Sequence, residues 1–180
     1  MKIVITVGHS KLKNGSYTSA DGTKYGGCNE YKWCKAFSKQ LAAALRKRGN
    51  IVKRVVCPEG KFIDSEQEKI YKLNIVNAEK YDLLIELHLN AATIVTASGC
   101  EVLYKSTAGK TYAEKVQAAL GTIFKNRGAK KRDNLYILNQ TRPTAILIET
   151  FFCTNVDDYK KAKGLSKRRK IAKLIANSIG

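Results

Sequence analysis

The hardest constraint on this chain is a pair of short, uninterrupted apolar runs, Leu83-Leu84-Ile85 and Ala145-Ile146-Leu147-Ile148. A strand with one face in water alternates apolar and polar residues. A run without alternation suits a strand covered on both faces, as in a parallel sheet between helices. Around these runs the pattern predicts strands at Lys2–Val7, Ile51–Cys57, Tyr81–His88, Cys100–Lys105, Asn134–Leu138 and Ala145–Thr150. Longer amphipathic stretches predict helices at Asn29–Arg48, Ser65–Val76, Thr111–Asn126 and Leu165–Ser178. Such alternation is the signature of an α/β fold.

The helices declare themselves by period. Tyr31, Cys34, Phe37, Leu41 and Leu45 recur at three- and four-residue spacing, as do Tyr112, Val116, Ala119, Leu120 and Phe124, each set giving one apolar face. Arg46-Lys47-Arg48-Gly49 places cations at a helix C-terminus with glycine just past it, and Lys125-Asn126-Arg127-Gly128 reads the same way.

A chain of 180 residues, 44% of them hydrophobic, fits one domain with a real core. No stretch approaches the ~20 apolar residues that span a bilayer, so no membrane anchor is expected. The opening Met1–Val7 is too short for a secretion signal. Synthesis in the cytoplasm, with another route to any site outside, is the expectation. The five cysteines are scattered, odd in number and without CxxC spacing, which points to buried, reduced thiols. A net charge of +18 (33 Lys+Arg against 15 Asp+Glu) draws in polyanions, nucleic acid or an anionic wall polymer alike.

Chemistry concentrates at predicted strand ends, where open α/β sheets bind ligands. His9 follows the first strand in Val7-Gly8-His9-Ser10, and His88 ends Leu83–Leu87; these are the only histidines. Either one alone reads as a hydrogen-bonded surface histidine. Two at matching ends of core strands read as metal ligands. A catalytic zinc keeps three protein ligands and an open position, and Glu30 is the best third candidate. It starts the first helix directly after a glycine-rich loop, Lys11–Gly27. Capping or helix-dipole stabilisation is its plainer role. Glu149 ends the apolar run at Ala145–Ile148, where an unpaired buried charge is costly unless it has work such as proton transfer.

These segments, in order and spacing, resemble the zinc-dependent N-acetylmuramoyl-L-alanine amidases of the amidase-3 type, and most of all the catalytic domains of clostridial phage endolysins. The resemblance rests on Gly8-His9, Asn29-Glu30, Glu86-Leu87-His88-Leu89-Asn90-Ala91 and Ile146-Leu147-Ile148-Glu149, and it covers essentially all 180 residues. It implies a single catalytic domain, residues 1–180, with a twisted, mostly parallel six-stranded sheet flanked by helices. It implies Zn2+ held by His9, Glu30 and His88, Glu149 as catalytic glutamate, and peptidoglycan as substrate, reached after a partner opens the membrane. Asn90 is a candidate substrate hydrogen-bonding residue. Glu86 stands where many members carry a small residue; it supports His88, competes with Glu30 as ligand, or forms a salt bridge. Val7 replaces the proline often found before Gly-His.

Four other readings compete. Lys167-Arg168-Arg169-Lys170 and Lys130-Lys131-Arg132 suit phosphate contact, yet no nucleic-acid motif accompanies them, so nucleic acid is the less favoured partner. A zinc peptidase uses the same ligands on another amide. A binding module that has lost catalysis has no need of Glu149. A host sporulation or division amidase is the alternative to a phage enzyme.

Overall fold

In the computed structural model, which describes residues 1–180, the apolar runs occupy the centre of one sheet. Its strands are β1 (Lys2–Val7), β2 (Ile51–Val55), β3 (Leu83–Asn90), β4 (Cys100–Tyr104), β5 (Asn126–Lys131) and β6 (Thr144–Phe152), in the spatial order β2-β1-β3-β6-β4-β5. Every neighbouring pair is parallel except β4 with β6. The two strands predicted from unbroken apolar runs, β3 and β6, lie side by side in the middle, where both faces must be covered.

The helices are α1 (Glu30–Arg46), α2 (Ser65–Ala78), α3 (Thr107–Gly121), the single turn α4 (Tyr136–Asn139), α5 (Val156–Ala162) and α6 (Leu165–Ile179). Alternate strand residues separate the two faces. Ile3, Ile5, Leu83, Ile85, Leu87, Ile146 and Ile148 meet α1, α3 and α6 in the larger core. Val4, Leu84 and Leu147 meet Val76 of α2 and Ile137 and Leu138 of α4 in a smaller one. Helix starts are fixed by side-chain caps. Asn29 accepts from the Lys32 amide at 3.0 Å, Asp64 from Gln67 at 2.9 Å and Ser106 from Gly109 at 3.0 Å. All five cysteines are buried and unpaired, as read from the sequence. No helix is long and apolar enough to cross a membrane.

Two sequence-based expectations are corrected here. Asn134–Leu138 is not a strand; Leu135 to Leu138 lead into and form most of α4, whose Ile137 and Leu138 are buried beneath the sheet. A run of four apolar residues does not by itself separate a buried turn of helix from a strand. The sixth strand is β5, and its start takes up the Lys125–Gly128 segment expected to end a helix; α3 stops earlier, at Gly121. β5 pairs only with β4. As an edge strand it carries Arg127, Lys130 and Lys131 in place of an apolar pattern. The short α5, capped by Asn155, was also not anticipated.

Below the strand ends, a buried ion pair joins α2 to β3. Lys72 Nζ donates to Glu86 Oε1 at 2.7 Å, with 3% and 1% of the two side chains exposed. Removing one partner strands the other charge in the core, so Lys72→Met is expected to cost about 3–5 kcal/mol in urea unfolding. The double variant Lys72→Met/Glu86→Leu is expected to recover most of that loss, because both desolvated charges leave together.

Candidate active site

Topology decides which residues meet. β1, β3 and β6 run parallel and deliver their C-terminal ends to one edge of the sheet. β4 runs against β6, so its first residues arrive at that edge too, followed by the start of β5. His88 is directly opposite Glu149, and Glu149 directly opposite Glu101. Directly paired residues share a sheet face, so these three stand in a row on the side of α2 and α4.

Gly8 makes room for that row. A Cβ on Gly8 would lie 2.3 Å from Cε1 and Nε2 of His88, so the imidazole occupies space that any other residue would fill. The next residue, His9, has φ 64°, the only positive φ outside glycine. This left-handed backbone costs energy for a residue with a side chain and is held by its neighbours. Gly8 N donates to Leu87 O at 3.0 Å, and Ser10 N to Thr18 Oγ1 at 3.1 Å. The turn aims His9 across β1, and the two rings meet edge to face with centroids 4.8 Å apart.

Glu30 arrives from the first turn of α1 and is 3% exposed. Its Oε1 lies 2.9 Å from His88 Nδ1 and accepts from the Leu89 amide at 3.1 Å. Its Oε2 lies 3.3 Å from His9 Nε2 and accepts from the Ala20 amide at 3.1 Å. One donor atom from each of His9, Glu30 and His88 falls within 4.8 Å of the others. The glycine-rich loop carries Ala20 to this place by crossing the end of β6. A Cβ on Gly22 or Gly27 would fall 1.9 or 1.8 Å from the Cys153 carbonyl oxygen.

The charges are strongly coupled. Burial alone would raise the Glu30 pKa, but hydrogen bonds and charge from His88 and then His9 hold it well below the usual carboxylate range. For His88, burial works against the charged form, and Glu30 and Glu86 outweigh it, lifting its pKa to about 10. Glu149 is pushed up to about 7, first by burial, with His88 opposing and Glu30, Glu101 and Glu86 adding to the rise. Its Oε2 is buried without any hydrogen-bond partner. A buried, unpaired carboxylate oxygen beside three metal-type donors is a group left free to exchange a proton.

Glu86, whose role the sequence left open, is paired with Lys72; its Oε2 stays 3.9 Å from His88 Nε2 and stands outside the donor triad. Asn90 does reach the row. Its Nδ2 donates to Glu101 Oε1 at 3.0 Å, and Glu101 Oε2 meets Lys130 Nζ and, at 3.6 Å, Arg127 Nε. Glu101 and Arg127 were not singled out as site residues, and Lys130 stood out only within the basic run Lys130–Arg132, as a phosphate contact. No local signal places them in this site, because only the antiparallel run of β4 brings them to the site edge. The basic Lys167–Lys170 run lies on α6, on the opposite face of the sheet.

The coupling has a measurable consequence. The folded pKa of His88, about 10, exceeds its unfolded value of 6.5. Its stabilising contribution is therefore complete below about pH 6.5 and is lost as pH rises through about 10. Chelator-treated protein is expected to melt at progressively lower temperature across that window. His88→Gln protein should lack this dependence between about pH 7 and 9, as thermal melts at stepped pH would reveal. That window lies above the titration of Glu149 and below the range where the buried cysteines, raised from 9.0, add their own.

The same chain is similar to known proteins along its length. The catalytic domain of the CD27L endolysin targeting Clostridia difficile is 51% identical, with a TM-score of 0.93, covering 99% of this chain and 96% of that one. N-acetylmuramoyl-L-alanine amidase LytC of Bacillus subtilis is 32% identical over 119 residues, 62% of this chain. A 38.4 kDa protein of Clostridium perfringens is 30% identical over 171 residues, 89% of this chain. The matched regions are 23% and 46% of the lengths of those two curated relatives. The family described as N-acetylmuramoyl-L-alanine amidase matches residues 3–180, and the chain therefore belongs to this amidase-3 family.

Proposed function

We propose that residues 1–180 form a catalytic domain that hydrolyses the amide between the lactyl group of N-acetylmuramic acid and L-alanine in peptidoglycan. The observation that carries this reading is the meeting of His9, Glu30 and His88 beside the orphaned carboxylate of Glu149, in a chain of the amidase-3 family. Two imidazoles and one carboxylate are the donor set of many zinc hydrolases, and the triad fits that ion in kind and number. Bound there, zinc supplies Lewis acidity that makes water nucleophilic near neutral pH and polarises the carbonyl.

The residues supply the remainder. Glu149 accepts the proton of the attacking water and returns it to the alanine nitrogen as the carbon–nitrogen bond breaks. The products are a lactyl carboxylate and a free alanine amine. A pKa near 7 suits both halves of that exchange, and a cation in the triad pulls it downward, toward the proton-accepting form. Asn90 orients substrate. Because an ionised carboxylate only accepts, its Nδ2 must face Glu101, which leaves Oδ1 as acceptor for a substrate N–H.

An endolysin role, with synthesis in the cytoplasm and access to the wall through a membrane opened by a partner, is the biological reading we favour. The 51% identity to an endolysin catalytic domain supports it. With peptidoglycan as substrate, anionic wall polymer is the second partner we favour over nucleic acid for the basic surface.

Digestion of purified clostridial walls, scored for new alanine amino groups, tests the assignment. Wild type is expected to release them, with chelation abolishing release and zinc restoring it. Glu149→Gln is expected to lose at least about a hundredfold, in the range of lost acid–base catalysis. Wall solubilisation without new alanine termini would sink the bond assignment. Glu101→Leu should raise KM for a soluble muramoyl-alanine substrate more than it lowers kcat, while Glu101→Gln, still able to accept from Asn90, should stay near wild type. Equal effects of both variants would remove Glu101 from the orientation of Asn90.

A further inference from the structure

The mechanism uses one face and one edge of the sheet and leaves most of the +18 charge unexplained. Some of its cations sit against acids, such as Lys2 and Lys53 against Glu79, Lys35 against Glu59, Lys69 against Glu66 and Lys110 against Glu114. Between α1 and α6, unpaired cations are gathered along one groove. A groove of about 750 Å³ runs there, and its lining includes Lys39, Lys47, Arg48, Arg169 and Lys173 with no carboxylate. All five are exposed. None makes a salt bridge; Arg48 alone has a side-chain partner, the neutral Asn177 Oδ1 at 3.1 Å. Helix α6 contains no acidic residue, and its other flank presents Lys167 and Lys170 to a second, smaller groove that also lacks a carboxylate.

Nothing in the fold explains this arrangement. Arg169 and Lys173 are one turn apart on the same helix, where like charges repel. Packing of α6 is done by Ile171, Ala172, Ile175, Ala176 and Ile179, and needs none of these cations. A row of unpaired cations along a groove is what a linear polyanion neutralises, releasing its counterions. The groove also lacks what a single-stranded nucleic acid would use. Between the cations lie Ala43, Ala44, Ala176, Gln40 and Asn177, with no aromatic ring on which a base stacks.

We propose that the α1–α6 groove is a docking site for a flexible polyol-phosphate polymer of the cell wall. Held there, on the sheet face away from His88 and Glu149, the polymer leaves the catalytic row free and raises the enzyme's local concentration on its substrate. The choice of a wall polymer rests on the amidase reading; the anion site itself does not.

The test compares wild type with the variant Lys39→Gln/Lys47→Gln/Arg169→Gln/Lys173→Gln. These positions are exposed, and circular dichroism and melting temperature verify that the fold is kept. Binding to poly(glycerol phosphate) is measured between about 50 and about 200 mM salt, and cleavage of a soluble muramoyl-alanine substrate is measured alongside. Wild type should bind with steep salt dependence. The variant should bind at least about tenfold more weakly at the lowest salt, with a log–log slope shallower by about 3, at ~0.7 per lost phosphate contact, and cleave the soluble substrate normally. Unchanged polymer affinity in the variant overturns the proposal. So does tighter binding of wild type to a short DNA duplex than to poly(glycerol phosphate) at equal salt, which makes nucleic acid the occupant. Absence of cleavage by both proteins counts against the amidase reading and leaves the polymer measurement to decide the groove.

Discussion

The site depends on one buried carboxylate. Glu30 enters from the first turn of α1, and each of its oxygens lies near one imidazole and accepts from one backbone amide. Through these four contacts it joins the glycine-rich loop, the turn after β1 and the end of β3. A carboxylate this deeply buried is costly unless positive charge or strong donors surround it. The two histidines provide them, which explains why Glu30 stays ionised while Glu149, with no donor on Oε2, is driven toward neutrality. Two glutamates at one edge thus acquire opposite protonation behaviour from their surroundings. That difference underlies the roles proposed for them, one as ligand and one as proton carrier.

The rest of the architecture supports this arrangement. Gly8 is small enough to leave the His88 ring its place, and Gly22 and Gly27 let the loop cross the Cys153 carbonyl to present Ala20. The Lys72–Glu86 pair holds α2 under β3, one pleat below His88. The strained backbone at His9 is fastened on both sides by hydrogen bonds from Gly8 and Ser10. On the far face, α1 and α6 pack through small and apolar residues and turn their cations outward, so the molecule presents a chemical edge and a separate basic surface.

Much of this was legible in the residues. The unbroken apolar runs identified β3 and β6 as central strands, because covering both faces removes the polar alternation. The periodic apolar face and the terminal glycine located α1 closely, and the stretches Ser65–Val76 and Leu165–Ser178 became α2 and α6. His9, His88, Glu30 and Glu149 stood out because each is a polar group at the end of an apolar or glycine-rich segment. The edge strand β5 was missed for the opposite reason: with a neighbour on one side only, it needs no apolar signature, and Leu135 to Leu138 nearby offered a stronger but misleading one.

The sequence by itself determined the class of fold, the central strands and the side chains able to do chemistry, since burial and periodicity are written locally. Only the tertiary structure decided which of them meet. The antiparallel insertion of β4 places Glu101 beside Glu149, and with it the Lys130–Arg127 pair that holds Glu101 ionised next to Asn90. It also decided that Glu86 belongs to Lys72 and stands outside the donor triad, and that cations from the two distant helices α1 and α6 share one groove. These outcomes depend on strand order and helix packing between segments far apart in the chain. No local pattern of charge or hydrophobicity encodes such long-range pairing.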